Sequence, residues 1–207
     1  MSATDVIQAA AAAVNIPLVV LAWGAARKSA HHADESAQAA LSIVKVEQRR
    51  EHRDLFPQVE INCVRKPGHT LFKLCVRLKG PDALDYLDRF TVTVRDDGLD
   101  RSPSTGSDVT QQELDEQVWG PYLLKPYGGG ADGFGRASLP RPLAVGEEWC
   151  WYLQPTAPPR WVTDPNSWTQ QYAGEPIRLM LKGERDGYEP WILRREIPQP
   201  RTDDLAS

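Results

Sequence analysis

The pattern of apolar and polar positions divides the chain into parts with different periods. The first part runs from Val6 to Ala26, contains no charged residue and is followed directly by Arg27 and Lys28. At about 1.5 Å per residue, a helix of this length spans roughly 31 Å, close to the hydrocarbon thickness of a bilayer. Trp23 lies near the charged end, where an indole suits the membrane interface. We therefore predict a single membrane-spanning helix.

A second interpretation of residues 6–26 stays open. Gln8 and Asn15 oppose insertion, because a side-chain amide in hydrocarbon lacks hydrogen-bond partners. The segment can instead pack as an alanine-rich helix against protein, which would leave the chain soluble in the cytoplasm. If the segment does span a membrane, Arg27 and Lys28 stay on the cytoplasmic side, and the C-terminal body lies in the cytoplasm.

Helical spacing continues beyond the basic pair. Small residues recur at alternate intervals of four and three, as in a heptad seam. The seam consists of Ala26, Ala30, Ala33, Ala37, Ala40 and Val44. Small side chains let another helix approach closely, so the seam predicts either a weak homo-oligomer or a lone helix on the domain surface. The helix becomes highly charged and is expected to end before Pro57, since a residue preceding proline avoids helical angles. Residues 1–56 therefore form a predicted apolar segment and charged stalk.

From Val59 onwards the period changes from helical to two. Apolar residues alternate with polar ones in short runs, and pairs such as Pro67-Gly68 and Asp186-Gly187 supply turns between them. Thr110 and Glu113 have the spacing of a helix capping box. We predict a mainly β fold over residues 57–198, an antiparallel β-sandwich of immunoglobulin-like or similar Greek-key type, preceded by a long N-terminal helix. Residues 199–207 are predicted to be a disordered tail.

Composition narrows the possible functions. The chain has 207 residues and a formal net charge of −4. A mildly acidic protein lacks the basic surface that phosphate contacts require, so we predict no nucleic-acid partner. The three cysteines are Cys63, Cys75 and Cys150, and no Cys-x-x-Cys pair supports a zinc or redox site. Scattered thiols fit a reducing compartment; one disulfide and a free thiol in an exported domain is the alternative.

Signatures of catalysis are missing from the sequence. The glycine run at 128–130 lacks the Gly-Lys-Ser/Thr ending of a phosphate loop, and neither a Gly-x-Ser-x-Gly elbow nor a His-Glu-x-x-His helix is present. We therefore assign no catalytic, cofactor-binding or metal-binding residue and predict that the protein is not an enzyme. A carboxylate pair assembled only by folding stays an open alternative.

Several short motifs resemble those of a known group of proteins. They are Arg49-Arg50-Glu51-His52 before Pro57, the run Thr91-Val92-Thr93-Val94-Arg95-Asp96-Asp97, Val118-Trp119-Gly120-Pro121-Tyr122, and Glu189-Pro190-Trp191. Together they resemble uncharacterised actinobacterial proteins that join an N-terminal apolar segment to a β-rich domain. The resemblance covers most of the chain. It implies this architecture and no assigned activity.

These observations predict a non-enzymatic, membrane-tethered interaction module that presents a cytoplasmic β-sandwich to a protein partner of unknown identity. The alternative is a soluble structural or assembly protein that oligomerises through its N-terminal helix. Trp161, Trp168 and Tyr172 are candidate partner contacts, because exposed aromatic residues often anchor interfaces. The alternative for these three is a core plug beneath a proline-rich loop.

Overall fold

The structure, a computed structural model, describes residues 36–65, 71–104, 108–126 and 130–199. The chain divides between Arg53 and Asp54 into two units, and each is described by itself. Helix α1 covers residues 36–54. The second unit contains eight strands, which are β1 (Gln58–Arg65), β2 (Phe72–Gly80), β3 (Tyr86–Val94), β4 (Tyr122–Leu124), β5 (Arg141–Ala144), β6 (Glu148–Pro155), β7 (Ile177–Glu184) and β8 (Trp191–Ile197). It also contains a 3-10 turn, Asp82–Leu84, and two short helices, α2 (Gln111–Glu116) and α3 (Pro165–Gln171).

The strands form two antiparallel sheets of four, with the orders β1-β2-β6-β4 and β5-β3-β7-β8. This confirms the predicted mainly β fold and is consistent with a β-sandwich. Strand β1 pairs with β2 and β7 pairs with β8, and the predicted turn at Asp186-Gly187 lies between the latter two. The predicted turn at Pro67-Gly68 lies outside the described residues. The capping box is also confirmed at α2, where the Thr110 hydroxyl accepts from the Glu113 N–H and the Glu113 carboxylate accepts from the Thr110 N–H.

The predicted long N-terminal helix is supported only over residues 36–54, which end before Pro57 as expected. The beginning of the seam, Ala26 to Ala33, lies outside the described residues, and so does the proposed anchor from Val6 to Ala26. Within the described ranges, no helix combines the length and apolarity that crossing a bilayer requires. The predicted tail also lies outside them, apart from its first residue, Gln199.

Period-two alternation explains how the core forms. On β2, Leu74, Val76 and Leu78 are fully buried, while Lys73 before them and Lys79 after them are exposed. The same alternation runs along the whole of β7. The inward residues of both sheets join one hydrophobic cluster. Each fully buried Leu or Val contributes about 1.5–3 kcal/mol relative to an exposed one, so this cluster is the main source of stability.

One glycine is required by close packing at the end of β4. Gly135 has a φ of +70°, and a Cβ at this position would lie 2.2 Å from the carbonyl oxygen of Leu124. The backbone N–H of Leu124 donates to the carbonyl of Gly135 at 2.8 Å. A side chain would therefore break the contact that attaches the loop before β5 to β4.

The core can be tested with two adjacent residues on β8. Leu193 is 2% exposed and Ile192 is 54% exposed, so they lie on opposite faces of one strand. We expect Leu193→Ala to lower the free energy of unfolding by about 2–5 kcal/mol, and Ile192→Ala to change it by less than about 1 kcal/mol. Denaturant titration of the two variants measures both values. Equal losses would contradict the described face assignment.

Candidate functional site

The predicted aromatic contacts lie in and beside α3. Asp164 caps this helix by accepting from the Asn166 N–H, and Pro165 occupies its first turn. Trp168 and Tyr172 are only 4% and 5% exposed, whereas Trp161 is half-buried. Trp168 and Tyr172 are therefore buried rather than exposed, and a partner role for the three residues stays a prediction. Their burial corresponds to the alternative given in the sequence analysis, in which they form a core plug beneath the proline-rich loop. Burial is favourable for aromatic side chains because it removes a large apolar area from water.

Trp168 connects α3 to the loop before β4. Its indole N–H donates to the Thr156 hydroxyl at 3.2 Å, and that hydroxyl donates to the carbonyl of Gly120. The Trp168 ring lies 5.6 Å from the ring of Trp119 and 4.9 Å from that of Tyr172. Three aromatic rings and a buried hydroxyl thus join segments that are distant in sequence.

A partly buried ion pair lies beside these rings. Arg101 donates two hydrogen bonds to the carboxylate of Asp97, at 2.7 and 2.6 Å, and the two side chains are only 19% and 11% exposed. The Tyr172 hydroxyl donates to the same carboxylate at 3.2 Å. The Arg101 guanidinium stacks 4.0 Å above the centre of the Trp119 ring. We call Asp97, Arg101, Trp119, Trp168 and Tyr172 the loop cluster.

A second ion pair extends the loop cluster towards α2. Arg136 donates to Asp96 at 2.7 Å and to the backbone carbonyls of Asp115 and Gln117. Asp96 also accepts from the backbone N–H of Trp119 at 2.9 Å. Because these charged groups satisfy one another and nearby backbone groups, the arrangement fixes loops in place.

The pKa shifts of Asp97 and Tyr172 also indicate that the loop cluster has a structural role. Burial pushes the pKa of Asp97 upward, but hydrogen bonds from Arg101 and the Leu99 N–H outweigh burial and hold it below its ordinary value. Burial, followed by the neighbouring Asp97 charge, raises the pKa of Tyr172 far above its ordinary value. Asp97 therefore stays ionised and Tyr172 stays protonated near neutral pH, so neither suits general acid–base catalysis there.

A second candidate site lies on the outer face of β2 and β6. Cys75 and Cys150 are paired residues on these strands and form a disulfide across a sequence separation of 75. Their side chains point outward because Leu74 and Trp151, beside them in sequence, point into the core. The described disulfide and the free Cys63 match the alternative of one bridge and one free thiol. In the chain-entropy model, closing a loop of this length stabilises the fold by about 4 kcal/mol.

Cys63 is on the opposite face of the same sheet. It pairs with Leu74 on β2 and packs against the core, so its sulfur is separated from the bridge by the sheet itself. Burial raises the pKa of Cys63 to about 11. A protonated, inward-facing thiol cannot attack the bridge, since exchange requires an accessible thiolate.

Charged groups flank the exposed side of the disulfide. Glu148 accepts from Arg77 at 3.2 Å through one carboxylate oxygen, and its other oxygen lies 3.7 Å from the sulfur of Cys150. The ligand-capable atoms of Cys75, Glu148 and Cys150 all lie within 4.8 Å of one another. Sequence reasoning missed this group, because its members become neighbours only through the β2–β6 register.

The third feature is the surface of α1. Leu41, Ile43, Val44 and Val46 are all more than half exposed, at 62%, 68%, 51% and 62%. A stretch of large apolar side chains in contact with water is unfavourable, and such patches commonly mark interaction sites. The predicted anchor residues Trp23, Arg27 and Lys28 lie outside the described residues.

Comparisons with known proteins assign neither a family nor a function to this chain. Searches against family models, curated proteins and solved structures found no match to this chain. The resemblance to actinobacterial proteins therefore stays a prediction, and any functional conclusion depends on the loop cluster, the disulfide face and the α1 surface.

The loop cluster makes stability depend on pH in a defined direction. Because the folded-state pKa of Asp97 is lowered, its stabilisation is complete above the unfolded pKa and is lost as pH falls through the folded pKa. We expect Asp97→Asn to lower the free energy of unfolding by about 1–3 kcal/mol at pH 7, and this difference from wild type to shrink in acid.

Asp100→Asn is the matched control, since Asp100 is exposed and lies three residues along the same loop. It should change the free energy of unfolding by less than about 0.5 kcal/mol. Denaturant titrations at neutral and acidic pH compare the variants. An Asp97→Asn deficit that grows on acidification, or one no larger than that of Asp100→Asn, would contradict the described ion pair.

Proposed function

We propose that this chain is a non-enzymatic interaction module whose helix α1 associates with α1 of a second copy. In this proposal, the associated helices carry the β-sandwich domains, and these domains are the part presented to a partner. The observation that carries the proposal is the exposure of Leu41 and Val44 on the described helix, at 62% and 51%. Burying such side chains against another helix removes them from water, which is the usual driving force of association.

The arrangement of residues on α1 favours a second copy as the occupant. Ala37, Ala40 and Val44 continue the heptad seam, and Leu41 and Ile43 flank it on either side. Identical helices with such a seam are complementary to each other, since each presents small residues that allow close approach and larger ones that cover the gap. On the far side of the helix, Ser42 and Arg49 are polar, and Val46 is an exposed apolar residue beside them.

The sandwich supports a binding role more than a catalytic one. In the described loops, the partly buried carboxylate of Asp97 is paired with Arg101, and Asp96 is paired with Arg136. Ion pairs with satisfied partners fix loop geometry and leave no group poised for proton transfer. The finer fold assignment, immunoglobulin-like or a similar Greek key, is part of this proposal.

The membrane tether is also proposed, on the sequence of residues 6–26. Arg27 and Lys28 would keep the sandwich in the cytoplasm. The Cys75–Cys150 disulfide favours the opposite side, because such bonds persist mainly in oxidising compartments. We retain the cytoplasmic orientation, in which this pair would be held as thiols.

The experiment uses light scattering to compare the oligomer mass of the full-length wild-type chain with that of two variants. The chain is taken from the membrane fraction in mild detergent, or from the soluble fraction if it is recovered there. The double variant Leu41→Lys/Val44→Lys removes about 3 kcal/mol or more of apolar burial, so we expect its association to weaken by at least about a hundredfold. Ser42→Lys is the control, because Ser42 lies about 140° around the helix from Ala37.

We expect wild type and Ser42→Lys to give the same oligomer and the double variant to give monomers. A wild-type chain that stays monomeric across the concentration range, or a double variant that assembles like wild type, would refute association through α1. Complete recovery of wild type in the soluble fraction without detergent would refute only the tether.

A further inference from the structure

We infer that Cys75, Cys150 and Glu148 form a binding site for one thiophilic divalent cation of the Zn²⁺ class when the disulfide is reduced. The site lies on the outer face of β2 and β6. It is independent of the proposed association through α1, because every ligand belongs to the sandwich.

Reduction precedes binding. A dithiol reductant, as either a small molecule or a protein, transfers two electrons and two protons to the Cys75–Cys150 bond. The S–S bond breaks, two thiols form, and the reductant is oxidised to its own disulfide. Binding of the cation then displaces one proton from each thiol, because the thiolate is the form that coordinates metal.

The backbone positions the ligands at a suitable separation. In a tetrahedral site with Zn–S near 2.3 Å and Zn–O near 2.1 Å, ligand atoms are roughly 3.6–3.8 Å apart. The Glu148 oxygen and Cys150 sulfur are already 3.7 Å apart, and all three ligand atoms fit within 4.8 Å. The two sulfurs need only rotate apart about their side-chain bonds, since paired strands hold their backbones.

The charges around the site balance for a divalent ion. Two thiolates and the Glu148 carboxylate carry three negative charges, and the cation with Arg77 supplies three positive ones. Arg77 donates to the Glu148 oxygen that does not face Cys150, which orients the second oxygen towards the sulfur. Such outer contacts set ligand orientation in metal sites.

A separate observation concerns Arg77, whose side chain is 42% exposed as a whole. The Nε of Arg77 is buried and has no hydrogen-bond partner among the described residues. Buried donors are normally satisfied, so an unpaired one beside the cysteine pair is unusual.

Solvent reaches the site from the β6 side, whereas Cys75 on β2 is only 7% exposed. Glu148 is exposed, and Cys150 is only half-buried. Asn62 on β1 is exposed and pairs with Cys75, so its side chain lies on the same face of the sheet. Cys63 cannot take part, because it faces the core on the other side of the sheet.

The test uses the full chain, in detergent if it requires detergent. The protein is reduced with a phosphine, freed of reductant without oxygen, and checked for retained tertiary structure by near-UV circular dichroism. Zn²⁺ alone is then titrated in competition with a chromogenic chelator. Co²⁺ replaces Zn²⁺ in a parallel titration, because thiolate-to-cobalt charge-transfer absorption reports sulfur ligation.

We expect reduced wild type to bind one equivalent of Zn²⁺ and the oxidised protein to bind at least about a hundredfold more weakly, since the disulfide removes both thiolates. Cys63→Ser keeps the full affinity and is the matched thiol control. Cys75→Ser/Cys150→Ser should lose the cobalt charge-transfer band. Glu148→Gln retains the disulfide and the fold, and should weaken binding by at least about tenfold.

Each contrary result overturns the proposal. These results are the absence of binding by the folded reduced chain, equal binding by the oxidised chain, loss of binding in Cys63→Ser, and unchanged affinity in Glu148→Gln. Loss of tertiary structure on reduction also overturns it, because the site requires the folded sheet. Metal binding and the mass of the non-reduced oligomer are measured separately, so failure here is distinguishable from failure of the association through α1.

Discussion

The antiparallel register between β2 and β6 is the constraint on which the rest of the sandwich depends. It pairs Leu74 with Trp151 on the core side and Cys75 with Cys150 on the outer side. Because side chains alternate between faces, a slip of one residue would move the core residues into solvent and the cysteines into the core. One register therefore determines the buried cluster, the disulfide and the position of Glu148.

The sequence predicted local structure well wherever a period or a capping signal was strong. Alternation predicted β2 and β7, and the spacing of Thr110 and Glu113 predicted α2. Helix α3 was missed, although Asp164 followed by Pro165 is a typical helix start, because the surrounding prolines indicated an irregular loop. Capping residues act over one turn, so they are readable from sequence even when the flanking chain is irregular.

Long-range contacts could not be predicted in the same way. Cys75 and Cys150 were visible in sequence, but which strands pair depends on the competition of all strands for partners. The same limit applies to Asp97 and Tyr172, whose hydrogen bond joins residues 75 positions apart.

The two units also differ in which apolar side chains they leave exposed. The sandwich buries its large inward residues, whereas α1 exposes Leu41 and Val44, and this difference is why we propose that association occurs through the helix.

The most direct measurement of the β2–β6 register is disulfide mapping by mass spectrometry of the purified, air-oxidised chain, with free thiols alkylated before and after unfolding. We expect one linkage, between the peptides that contain Cys75 and Cys150, and a Cys63 thiol that is alkylated only after unfolding. A linkage that includes Cys63, or rapid alkylation of Cys63 in the folded protein, would contradict the register and the face assignments derived from it.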